Sequence, residues 1–128
     1  MRLKLLLITM LLWSNIARAE FFRPSEMTVS EFYSLDNRVG HLSEVGWSNY
    51  TGMNGYLLGI RGFNAGKYWI HGDKEAADCI NKPINVWNSL VFDKYKLNKI
   101  KGDDLFFLHF IKTIDEVCNV DLWGLKEN

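Results

Sequence analysis

Gly52-Met53-Asn54-Gly55-Tyr56-Leu57-Leu58-Gly59-Ile60-Arg61-Gly62-Phe63-Asn64-Ala65-Gly66 places five glycines among fifteen residues with a helical period. Its glycines, Gly52, Gly55, Gly59, Gly62 and Gly66, recur at spacings of three, four, three and four. At about 100° per residue they fall within one arc of about 80° on a helix. Met53, Leu57 and Ile60 occupy a separate apolar side, while Tyr56 and Phe63 border the glycines. We read a helix from Ser43 to Ala65. Each glycine inside a helix weakens it by about 1 kcal/mol relative to alanine, so the stripe implies a compensation. Without Cβ atoms another backbone can pack closely on that face. The favoured reading is tight packing inside one subunit. The alternatives are a homodimer contact about a twofold axis, or a segment broken into shorter pieces.

Upstream, Thr28 and Glu31 have the spacing of a capping box, and Phe32, Leu35, Asp36 and Val39 follow before Gly40 ends a first helix. Ser43 and Glu44 can open the second helix. Downstream, the segment from Gly66 to Asp78 reads as a polar and aromatic loop, with a helical turn from Asp73. Tyr68, Trp69, His71 and Asp73 form a candidate partner-binding surface there, because tyrosine and tryptophan dominate interface energetics. Burial of Trp69 under the loop is an equal reading.

Pro83 suits the first turn of a further helix, in which Ile84, Trp87, Val91 and Tyr95 make an apolar stripe. Lys94, Lys96, Lys99 and Lys101 cluster near its end, where positive charge suits the dipole, and Gly102 stops it. Asp103 and Asp104 open a last helix carrying Phe107, Ile111, Ile114 and Cys118 along one face. Leu122 and Trp123 pack back beyond it. Helical stripes recur and alternating runs do not. The expectation is an all-α bundle of about four principal helices.

The chain begins with two positive charges, an apolar run from Leu5 to Trp13, and a small-residue site at Ala17-Arg18-Ala19. That order is a secretory signal, with cleavage expected after Ala19. Nine apolar residues are too few for a span that needs about 20. Removing residues 1–19 leaves 109 of the 128 residues as a single domain, 20–128. Arg2, Lys4 and Arg18 leave with the signal, so twelve basic and fifteen acidic side chains remain. That balance argues against nucleic-acid binding, which calls for a basic face.

Cys79 and Cys118 are the only cysteines. In an oxidising compartment two cysteines most simply form one bridge, and closing a loop of about 40 residues is worth roughly 4 kcal/mol. His41, His71 and His109 stand at no metal-ligand spacing from either cysteine. Neither a nucleophile motif nor a phosphate loop is present, and no metal or cofactor is expected. Asp115 and Glu116 read as solvent-facing, His109 as structural, and Arg61 as a candidate partner for a buried acid. Asn49-Tyr50-Thr51 matches a glycosylation sequon. The residues describe a binding module rather than an enzyme.

Two patches resemble a family. Gly55-Tyr56-Leu57-Leu58-Gly59-Ile60 is similar to the G-Y-hydrophobic-x-G-hydrophobic core of the Rap/Tai immunity proteins. Cys79-Ile80-Asn81-Lys82-Pro83, then Tyr95 on a helix and Cys118 ending the last one, resembles that family's second half. The likeness runs from Gly52 to Cys118. Met53 and Asn54 stand where members often carry a further cysteine. The resemblance implies a periplasmic, commonly homodimeric protein that binds and blocks peptidoglycan amidase toxins injected by type VI secretion. Two other classes fit a small exported helical domain with one disulfide. They are an acid-stress chaperone of the HdeA type and an adaptor of an envelope complex.

Overall fold

The computed structural model describes residues 22–123, so the expected export signal lies outside the described residues. Among these the protein is all-α, with five α-helices and no strand. They are α1 (Val29–Asn37), α2 (Glu44–Ile70), α3 (Lys74–Ile80), α4 (Ile84–Lys96) and α5 (Phe106–Cys118).

Local chemistry explains most of the boundaries. The Thr28 hydroxyl accepts from the Glu31 amide at 3.2 Å and donates to the Glu31 carboxylate at 3.0 Å, closing the start of α1. Ser43 accepts from the Gly46 amide at 3.1 Å at the start of α2, and Asp73 from the Ala76 amide at 3.1 Å at the start of α3. These caps satisfy amides that a helix's first turn leaves without partners.

Several boundaries differ from the sequence reading. α2 runs five residues beyond Ala65, because Gly66 costs the helix only a fraction of what its neighbours' packing returns. The turn after it falls at Gly72, whose φ of 83° favours glycine. The segment read as a loop therefore contains the end of α2 and most of α3, which raises the helix count from four to five. α1 stops at Asn37, and Gly40 sits in a short 3-10 turn, Val39–His41.

α4 ends at Lys96, six residues before Gly102. Asn98 supplies the left-handed residue (φ 59°), while the amides of Asn98 and Lys99 return to the carbonyls of Tyr95 and Lys94. Gly102 has another role. A Cβ there would lie 3.1 Å from Ser30 Cβ and 3.2 Å from the Tyr95 ring, so only glycine fits without displacing them.

The same loop completes α1. Carbonyls of Asp104 and Gly102 accept from the amides of Val29 and Ser30, both at 2.9 Å, and Met27 accepts from the amide of Phe106 at 3.0 Å. Asp104 thus does not open α5, which begins at Phe106 without a side-chain cap. Its carboxylate instead meets His109 Nε2 at 2.9 Å and the Lys101 amide at 3.1 Å. The His109 hydrogen bond, then the Lys101 amide, hold the Asp104 carboxyl below its ordinary value. The structural reading of His109 fits this arrangement.

The core is aromatic. Phe32 packs edge-on to Phe106 at 4.7 Å between ring centres and lies 5.6 Å from Phe92. Met53 and Leu57 of α2, Trp87 and Val91 of α4, and Phe110, Ile111 and Ile114 of α5 are buried with them. Ile84 and Tyr95 complete the expected α4 stripe as partly buried neighbours. Asp115, expected at the surface, is buried: its Oδ1 accepts from the Leu122 amide at 3.0 Å and ties the chain after α5 to the bundle.

Cys79 and Cys118 are bonded, with Cα atoms 5.7 Å apart. α3 has seven residues, fewer than an isolated helix needs to persist in water. The bridge joins its last turn to the last turn of α5. Replacing both cysteines with serine is expected to lower the unfolding free energy by about 2–5 kcal/mol, read as a drop in urea midpoint. An unchanged midpoint would show that packing alone holds α3.

Candidate partner-binding face

The outer side of α2 collects residues that its helical period places together. Gly52, Gly55, Gly59, Gly62 and Gly66 share that side with Phe63 and Ile70, which lie four residues beyond Gly59 and Gly66. A Cβ built on Gly52 would lie 3.1 Å from the Phe22 ring, but one on Gly55, Gly59, Gly62 or Gly66 would meet nothing within 4 Å. Tight packing inside one subunit, the favoured reading of the stripe, is therefore not its role. No other helix crosses those four glycines in the described residues, so the face is a bare trough.

Side chains stand around that trough. Phe63 is 73% exposed and Ile70 81% exposed. A groove of 470 Å³ runs over Gly55 and Gly59, walled by Tyr56, Ile60, Phe63 and Lys67 on α2 and by Leu122 and Trp123 opposite. Phe107 backs the far wall, with its ring 6.2 Å from Tyr56 and 5.9 Å from Trp123. The position of that wall traces to Asp115 and to Asn119, whose left-handed φ of 52° turns the chain after α5.

The four residues named from the loop divide. Trp69 is 55% exposed, with the Lys74 ammonium 5.4 Å from its ring centre, and it stands beside exposed Ile70 and His71 at the end of α2. Tyr68 turns inward against the core. Asp73 is exposed, but its carboxylate is engaged in capping α3. Of the family-motif residues, Gly55, Tyr56 and Gly59 line the groove. Pro83 instead caps α4.

Ile70 was missed from sequence because the helix was ended at Ala65; carrying the glycine period one turn further puts it on this face. Arg61 takes a different partner from the one expected. Its guanidinium donates to the Lys82 carbonyl at 2.8 Å, next to the bridge, and meets no acid there.

Exposed apolar side chains thus gather along one side and at the end of α2. Among the described residues no group of three histidine, cysteine or acidic side chains could hold a metal ion, and no helix is long and apolar enough to cross a membrane. Compared with protein-family models, with curated proteins and with solved structures, the chain matches none.

Because a Cβ on Gly62 would meet nothing within 4 Å among the described residues, Gly62→Ala is expected to stabilise the isolated protein by about 0.5–1 kcal/mol. Thermal unfolding at low concentration measures this. A loss of stability would mean that the glycine is already in close contact.

Proposed function

We propose that this chain is a periplasmic immunity protein that binds and occludes a peptidoglycan-degrading amidase toxin delivered by type VI secretion. The observation that carries the reading is the unpartnered apolar and aromatic end of α2, Trp69 and Ile70 with His71, on a body closed by a disulfide. Occlusion of an enzyme cleft calls for rigid aromatic anchors on a frame that loses little entropy on binding. The disulfide is compatible with an extracytoplasmic location. The Rap/Tai-like motif and the expected export signal supply the toxin class and the compartment.

Co-expressing the neighbouring toxin in the periplasm tests this directly. Cells carrying the wild-type chain are expected to survive, and Trp69→Ala is expected to weaken binding by 2 kcal/mol or more, about thirtyfold. Equal lysis with and without the chain would remove the reading for that toxin.

The bare glycines favour a second element of the same proposal, a homodimer packed along Gly55, Gly59, Gly62 and Gly66. Two backbones can approach closely there about a twofold axis. Gly59→Leu is expected to convert a dimer to a monomer in sedimentation. A dimer of unchanged mass would place the contact elsewhere.

A further inference from the structure

We propose that the polar cavity enclosed by α1, α2 and α4 is a binding site for a protonated primary amine. The cavity measures 150 Å³ and is lined by Asp36 from α1, Tyr50 and Asn54 from α2, and Asn85, Asn88 and Ser89 from α4. That is about ten times the volume one water requires.

Its selectivity follows from one charge. As a carboxylate, Asp36 can only accept hydrogen bonds. Tyr50 must therefore donate to it, and does so at 2.8 Å. Burial, then the hydrogen bond to Asp36, raise the Tyr50 hydroxyl above its ordinary 10.0, so it remains a donor. Beside it, Asn88 Nδ2 donates to Asn54 Oδ1 at 3.0 Å.

One buried acceptor of the cavity remains unused. Asn88 is 5% exposed, and its Oδ1 has no hydrogen-bond partner. A buried acceptor left in that state is destabilising, and a donor on a ligand would relieve this on binding. Asp36 makes no ion pair with any cation of the described residues, and its one hydrogen bond is the Tyr50 contact. A neutral water can satisfy the Asn88 oxygen but not the charge. An ammonium head brings three donors and one positive charge in a compact group, which answers both. The head can belong to a free alkylamine or to a lysine side chain of another protein. The site stands independently of the immunity reading, since none of its residues lies on the outer face of α2.

Titrating the full chain while following the side-chain amide resonances of Asn54 and Asn88 tests the assignment. Ethylammonium and Nα-acetyl-lysine amide are added in parallel, against tetramethylammonium and potassium at matched ionic strength. Saturable shifts are expected with both primary amines and absent with the two controls. Tighter binding of the lysine derivative assigns the head to a protein side chain, and tighter binding of ethylammonium to a free amine. Asp36→Asn, at a half-exposed position, is expected to weaken binding about tenfold or more. No saturable shift with either amine would overturn the site, as would equal shifts with potassium or tetramethylammonium.

Discussion

At the junction between α3 and α4 the backbone, the core and the disulfide meet. A seven-residue helix ends there, and its last carbonyls must find donors away from water. The Trp87 indole donates to the Ile80 carbonyl at 3.0 Å and the Arg61 guanidinium to the Lys82 carbonyl at 2.8 Å. The Cys79–Cys118 bond then fixes the same turn to the end of α5. Trp87 is fully buried, so one side chain fills the core and satisfies the backbone beside it. Three helices, α2, α4 and α5, are registered through this single turn. α2 is held at that inner side, which leaves its opposite side free.

Most of the architecture was legible because it is written in local chemistry. Thr28 and Ser43 announce helix starts, and the stripe of Ile84, Trp87, Val91 and Tyr95 identifies a buried face. The pairing of two cysteines needed only counting and a compartment. Errors arose where one residue type serves two purposes. Glycine is read as a stop, yet Gly66 lies inside α2 and Gly102 makes room for Ser30 and Tyr95. Gly72 does follow α2, but the stops of α4 and α5 are Asn98 and Asn119, whose left-handed backbone has a weaker signature. Aspartate is read as a helix start or a surface group. Asp104 in fact binds His109, and Asp115 is buried to hold Leu122. Such roles are set by contacts between distant parts of the chain.

The candidate face was half legible. The spacing of the glycines identified a stripe but not what opposes it, because an absent side chain is compatible with close contact and with open space alike. Only the arrangement of the other helices separates these, and it leaves Gly55, Gly59, Gly62 and Gly66 uncovered. Trp69 was visible as an aromatic in a polar setting, whereas its neighbour Ile70 emerged only when α2 proved longer than expected. The polar cavity beneath α1 was invisible in sequence. Asp36, Tyr50, Asn54 and Asn88 come from three helices, and their pairing exists only once these are packed.

Asp115 gives the fold a practical polarity. By anchoring Leu122 it sets Trp123 on the rim of the groove, so any polypeptide spliced on after that residue begins its path at the open trough. A reporter attached there starts beside the groove. Attachment ahead of Phe22 starts from the Gly52 end of the trough, where that ring already lies against α2. For immobilisation, the choice of attachment point decides which end of the trough is shadowed.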